Sequence, residues 1–354
     1  MKGTEQQLRY PEFLKQGDCI GFAAPSFGCN IEPYKTSFEH ALERFRQEGY
    51  RLQPGPNAYA GDGIGISSSP ESCGKEFTDM FLSEENDAII SCGGGELMCE
   101  ILDYVNFDAI RQAKPKWFMG YSDNTNLTFL LNTLCDTAAI YAPCASSFGM
   151  KPWHKSLKDA WQLLQGKKLT MAGYPKYETE SLRDEDHPLV PYNCTEPRKI
   201  IFYNPDGEQE QPFRFSGRLT GGCLDILANL CGTKYDKTAA FAEKYREDGI
   251  IWFLEACDLN VFGIRRAVWE LQHAGWFEHV KGFLIGRPLS AMDDLLGLDH
   301  IRAVTDLLAE YHVPILLDAD LGHIPPMMPL ISGSCATVTA DPASGNMKIQ
   351  MRCK

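Results

Sequence analysis

Along the first 150 residues, short apolar runs alternate with stretches in which apolar residues recur every three or four positions. Cys19 to Ala24 is a small apolar run ending at Pro25-Ser26, and it predicts a strand. Phe38, Ala41, Leu42 and Phe45 mark one face of a helix that stops at Gly49. Tyr50 to Leu52 predicts a second strand, and Phe77, Met80 and Phe81 mark a helix. Asp87 to Ser91 predicts a strand running into Cys92-Gly93-Gly94-Gly95, followed by a helix through Ile101-Leu102. Trp117-Phe118-Met119 is a further strand, Leu127, Leu130, Leu131 and Leu134 a helix, and Ala139 to Ala142 another strand. Such alternation predicts a mostly parallel sheet covered by helices. Ligands bind such sheets at the carboxyl ends of the strands. Ser26, Gly93-Gly94 and Ser122 all stand at predicted strand ends and are placed to converge.

The pattern changes after Met150. Residues 171 to 215 are rich in proline, tyrosine and charge and predict irregular structure with one strand at Lys199 to Tyr203. Gly217 to Gly222 predicts a turn-rich approach to a helix over Leu224 to Leu230. Ile250 to Leu254 is a continuous apolar strand ending in Glu255, and a helix is predicted from Phe262 to His273. Gly282 to Ile285, Pro314 to Leu317, Ala336 to Thr339 and Met347 to Met351 predict further strands. The expected organisation is a parallel-sheet α/β domain over 1–165, a linker and irregular pocket-shaping segment over 166–215, and an α+β domain over 216–354.

Charge narrows the function. Lys and Arg number 34 against 47 Asp and Glu, a net charge of −13, and no basic block interrupts that balance. Nucleic acid is therefore not an expected partner, because phosphate contacts need clustered cations. The polar Met1 to Gln7 segment has no apolar core of a secretory signal, and no run of 18 apolar residues predicts a membrane span. The thirteen cysteines include no C-x-x-C pair, which predicts reduced, mostly buried thiols in a cytoplasmic protein and no zinc site.

The candidate chemistry starts at Gly120-Tyr121-Ser122-Asp123-Asn124-Thr125. A strand leads in and a helix leads out, so Ser122 sits where a nucleophile elbow places its serine, although Asn124 replaces the second glycine of the common G-x-S-x-G spelling. The alternative is an ordinary helix N-cap at Ser122 or Asp123. A serine nucleophile needs a base, and the base an orienting carboxylate. Glu255 ends a buried strand, where a carboxylate is costly unless paired. It either forms an ion pair with Arg265 or Arg266 or orients a histidine. His323, in Gly322-His323-Ile324-Pro325-Pro326, is either a histidine held rigidly at a site or an exposed loop residue. Cys92-Gly93-Gly94-Gly95-Glu96 is a backbone surface able to approach a substrate oxygen, or else a phosphate loop or tight turn.

Taken together, these segments resemble the LD-carboxypeptidase family of serine peptidases, which includes the microcin-C immunity peptidases. The resemblance runs from Gly17-Asp18 to about Gly333. It is carried by Ala24-Pro25-Ser26, Ala88-Ile89-Ile90 with Gly93-Gly94, the Gly120 to Thr125 segment, Gly217 to Gly222, Phe253-Leu254-Glu255, Arg266 to Leu271 and Gly322-His323. It implies a triad of Ser122, Glu255 and His323 and an oxyanion hole from backbone amides of Gly93, Gly94 and Asp123. It also implies a cytoplasmic homodimer without metal or organic cofactor, acting on a small peptide or peptide-nucleotide. The amide bond cleaved would lie near a free C-terminus, either the L,D bond of a murein tetrapeptide or that of a peptidyl or aminoacyl adenylate mimic. Ser26, Tyr121 and Trp153 are candidate substrate contacts, Trp153 through stacking or else as a packing residue. Three departures concern the pocket: Cys223 where the family usually has asparagine, Ala142 where the immunity branch usually has glycine, and Gly95-Glu96 after the paired glycines. An esterase of the α/β-hydrolase type, or a non-catalytic binding protein on the same scaffold, would share parts of this pattern.

Overall fold

The computed structural model describes residues 7–207, 211–291 and 293–354. Its first sheet contains β1 (Cys19–Ala23), β2 (Arg51–Pro54), β3 (Ala88–Ser91), β4 (Trp117–Gly120) and β5 (Ala139–Tyr141). These pair in parallel in the order β5-β4-β3-β1-β2. Crossovers pass through α1 (Tyr34–Gln47), α2 (Pro70–Leu82), α3 (Phe107–Gln112) and α4 (Thr125–Thr133). All residues of β1, β3, β4 and β5 are buried, as expected of a parallel sheet covered on both faces. The predicted helix through Ile101 is a 3-10 helix over Met98–Tyr104.

After α5 (Lys155–Leu164) the chain builds a second sheet. Its strands are β6 (Thr170–Ala172), β9 (Ile201–Tyr203), β10 (Phe213–Cys223), β11 (Ile250–Glu255), β12 (Val280–Gly286), β13 (Ile315–Ala319), β15 (Cys335–Asp341) and β16 (Asn346–Arg352). The order is β6-β16-β15-β10-β11-β12-β13-β9, with β10 to β13 parallel and the flanking strands antiparallel. Two short strands, β7 (Lys176–Glu178) and β8 (Cys194–Pro197), form a separate hairpin-like pair, and β14 (Leu330–Ser332) returns to the first sheet, antiparallel to β5. The helices of this half are α6 (Leu224–Leu230), α7 (Thr238–Lys244), α8 (Val261–His273) and α9 (His300–Leu308).

The Gly217 to Gly222 segment, expected as turns, is the end of the eleven-residue β10. Its glycines serve close approach. A Cβ at Gly221 (φ 144°) would stand 1.8 Å from Phe253 O, and one at Gly222 (φ 149°) 2.5 Å from Thr125 Cγ2. The strand thus passes tightly along β11 and beneath α4. Phe129 of α4 stacks on Trp276 at 5.2 Å, and Trp276 on Trp252 of β11 at 5.8 Å, so the helix behind Ser122 is packed between the two sheets. That packing brings the carboxyl ends of β4 and β11 to one junction.

Candidate active site

Strand β4 ends at Gly120, and Ser122 takes up a left-handed conformation (φ 64°) before a 3-10 turn leads into α4. Left-handed backbone is costly for a residue with a Cβ, and it persists where the surroundings over-determine it. Asn124 does much of that. Its Nδ2 donates to Gly93 O at 2.8 Å and to Tyr121 O at 3.0 Å, pinning the Gly93 turn against the elbow. Gly120 makes the room: a Cβ there would stand 2.8 Å from Asn124 Cγ. This explains why asparagine follows where the usual elbow has glycine.

Ser122, Glu255 and His323 come together. Ser122 Oγ lies 2.8 Å from His323 Nε2, and His323 Nδ1 lies 2.8 Å from Glu255 Oε2. Glu255 is buried and pairs with neither Arg265 nor Arg266. Its other oxygen, Oε1, accepts from the Tyr141 hydroxyl at 2.6 Å. His323 follows β13 in a tight loop, and its ring is tilted 5.2 Å from that of Tyr121. Burial opposes its positive charge, but the Glu255 carboxylate and the nearby Cys257 outweigh it and raise the imidazole above its ordinary value. Burial pushes the Cys257 thiol up, against its hydrogen bond to His323.

Gly94 faces the serine closely: a Cβ there would stand 3.4 Å from Ser122 Oγ. Neighbouring groups fix this turn. Gly93 O accepts from Ser91 Oγ at 2.9 Å, and Gly94 O accepts from the Phe27 amide at 2.6 Å. The Asp123 carboxylate is buried beneath it, accepting from Ser26 Oγ at 2.5 Å, Met98 N at 2.9 Å and Asn126 Nδ2 at 3.1 Å. Burial raises its pKa to about 6 against the pull of those donors.

Two of the three expected substrate contacts lie elsewhere. Ser26 is fully buried with its hydroxyl engaged by Asp123, which makes it a support for the turn. Trp153 is 4% exposed, encloses its N–H on Phe148 O at 2.6 Å, packs against Phe45, Phe148 and Trp161, and carries the Arg44 guanidinium 3.4 Å over its ring. It is a packing residue with no open face. Of the three, Tyr121 alone lies beside Ser122 and His323. Sequence reasoning missed the roles of Asn124, Thr125 and the Tyr141 hydroxyl; a tyrosine closing an otherwise apolar buried strand was the available signal for the last. Among the described residues, no group of three or more His, Cys, Asp or Glu is placed to hold a metal ion.

Residues 20–142 match the family model of the LD-carboxypeptidase N-terminal domain, and residues 216–338 that of the C-terminal domain. The chain belongs to the LD-carboxypeptidase family. Within that family, it is 24% identical over 328 residues to the microcin C7 self-immunity protein MccF of Escherichia coli, covering 90% of each chain. It is 23% identical over 344 residues to the “Probable murein peptide carboxypeptidase” of Bacillus subtilis, 96% of this chain and 94% of that one. The crystal structure of an MccF-like protein from Bacillus anthracis superposes with a TM-score of 0.80 at 23% identity, over 97% of this chain and 100% of that one. MccF in complex with glutamyl sulfamoyl guanosine gives 0.78 at 22% identity, over 97% and 98%. This LD-carboxypeptidase family fold is the expected one: a parallel-sheet α/β half carrying the elbow and a mixed α/β half that bears Glu255 and His323.

Proposed function

We propose that this chain is a carboxypeptidase-type serine hydrolase that cleaves the amide bond at the C-terminal end of a small peptide or peptide-nucleotide, with or without a free carboxylate beyond it. The observation that carries the proposal is the continuous hydrogen-bonded line Ser122 Oγ, His323, Glu255 at 2.8 Å per link. Ser122 Oγ attacks the carbonyl carbon while its proton passes to His323 Nε2. Glu255 holds Nδ1–H, fixes the tautomer and stabilises the imidazolium. The oxyanion that forms is met by amides of Gly93 or Gly94 and of Asp123, where loss of one donor typically costs about 3 kcal/mol of barrier. His323 then gives its proton to the leaving amine. Water, deprotonated by the same imidazole, releases the acid and restores Ser122.

For the substrate, we place a peptidyl or aminoacyl adenylate mimic ahead of a murein tetrapeptide. Tyr121 beside His323, with Tyr34 and Tyr192 in its surroundings, gives the site aromatic character suited to a planar ring. MccF itself is known in complex with aspartyl sulfamoyl adenosine and glutamyl sulfamoyl guanosine. The same family reading makes the protein a cytoplasmic homodimer, which sedimentation of the purified chain tests.

The deciding experiment is mass spectrometry after incubation with an aminoacyl sulfamoyl adenylate and, separately, a murein tetrapeptide, each with a Ser122→Ala control. Amino acid released from the adenylate supports the first substrate. D-alanine released from the tetrapeptide alone assigns the second. Ser122→Ala should lower turnover by roughly four orders of magnitude or more, and substantial activity in that variant would overturn the mechanism.

A further inference from the structure

Tyr141 ends β5 with its side chain fully buried, yet its hydroxyl bonds to groups from both halves of the junction. It donates to Glu255 Oε1 at 2.6 Å. The Tyr141 oxygen itself accepts from the Ser122 backbone N–H at 3.4 Å, and Thr125 lies beside it. Thr125 Oγ1 in turn accepts from the Cys223 amide at 2.9 Å, and Cys223 is the register partner of Glu255 across β10 and β11. The result is a closed polar ring that joins the two ends of the Ser122–His323–Glu255 line without passing through His323.

We propose that Tyr141 is a positioning residue that holds the Glu255 carboxylate in the plane of the His323 imidazole and sets how strongly that carboxylate acts on it. The proposal rests on the triad reading above. A carboxylate has two oxygens and can turn about its last bond. His323 engages Oε2 only. Without a donor on Oε1 the group would be free to rotate, would keep a buried oxygen unsatisfied, and would concentrate its charge on the histidine side. Tyr141 removes all three possibilities. Burial, and next the Glu255 charge, hold its phenol well above the ordinary tyrosine range, so it remains a donor at any working pH.

The other titratable groups facing this pair are Cys257 beside His323, Cys223 beside Glu255 and the Tyr121 phenol, all pushed up by burial, with Asp225 beyond the two thiols. None of them replaces the hydroxyl on Oε1.

The test compares wild type with Tyr141→Phe, which keeps the ring and removes one oxygen. Two readouts are needed: the second-order rate of fluorophosphonate labelling of Ser122 across pH, and the far-downfield proton resonance of His323 Nδ1–H. The variant should melt cooperatively and label about 10- to 100-fold more slowly. Its acidic limb should move to higher pH and the resonance should shift. A merely packing role would leave limb and resonance at their wild-type positions, and that result overturns the proposal. Site-specific 3-fluorotyrosine at 141, of nearly the same shape with a more acidic phenol, should move the limb to lower pH. It decides the matter should Tyr141→Phe not fold, because an unmoved limb there is equally fatal. Wild-type protein that neither labels nor shows the resonance would instead overturn the triad itself.

Discussion

Gly322 and Glu255 are in contact such that a methyl group on the glycine would stand 2.4 Å from Glu255 Oε2, the oxygen that faces His323. Gly322 also has φ +92°, a conformation side chains rarely adopt. The residue before the histidine is therefore small because the carboxylate occupies its side-chain space. Gly322→Ala should cost activity out of proportion to stability, with kcat lowered roughly 100-fold or more and KM little changed. Steady-state kinetics beside a thermal melt check this.

Acidification should silence the protein at a pH above the ordinary histidine value near 6.5. In the proposed mechanism His323 is neutral when it accepts the serine proton, and Glu255 favours its charged form more than burial opposes it. The stabilisation from this pair is fully present below the unfolded histidine pKa and is lost as pH rises through the higher folded one. Glu255→Gln should move the acidic limb of the labelling rate to lower pH and drop its plateau roughly 10³-fold or more. A limb that stays in place would mean another group controls it.

Ser26→Ala should weaken the turn that faces Ser122. It takes away the 2.5 Å donor to Asp123 and leaves a buried carboxylate oxygen short of a partner. A loss of about 1–3 kcal/mol in denaturant stability is expected, with turnover reduced because the Gly93-Gly94 turn loses its support. Unaltered turnover at reduced stability would separate the turn from the chemistry.

Trp153→Phe tests the packing assignment. Loss of the N–H bond to Phe148 and of part of the contact with Arg44 and Trp161 should destabilise by about 2 kcal/mol. Hydrolysis rates should stay within twofold of wild type. A selective rise in KM for a nucleoside-bearing substrate would return Trp153 to the binding site.

Much of the first sheet was legible because parallel strands buried on both faces read as plain apolar runs, α1 carries a clean apolar face, and α4, buried nearly all round, still shows its leucines. The elbow was legible for the same reason: Trp117 to Gly120 and Leu127 to Leu131 bracket Ser122. Glu255 stood out as a carboxylate closing an apolar strand, and His323 by its constrained loop. What escaped was non-local. β10 was hidden because its glycines, which usually announce turns, were selected for close approach to Phe253 and Thr125. β6 and β14 are three residues each and acquire strand character only from partners far away in the chain. Trp153 and Ser26 have residue types that suit binding, and only packing revealed that their polar atoms were already taken.

The return of β14 to the first sheet has one more consequence. The loop bearing His323 leaves β13 in the second sheet and, within a dozen residues, is bonded to β5 in the first. The histidine is thus slung between two anchorages that belong to different halves of the molecule. Gene fusion or shuffling at the boundary between the halves would sever a strand from its sheet, so relatives should exchange these halves only together with residues 320 to 332. Inheritance of the Ser122–His323–Glu255 line is, in this architecture, inheritance of the whole junction.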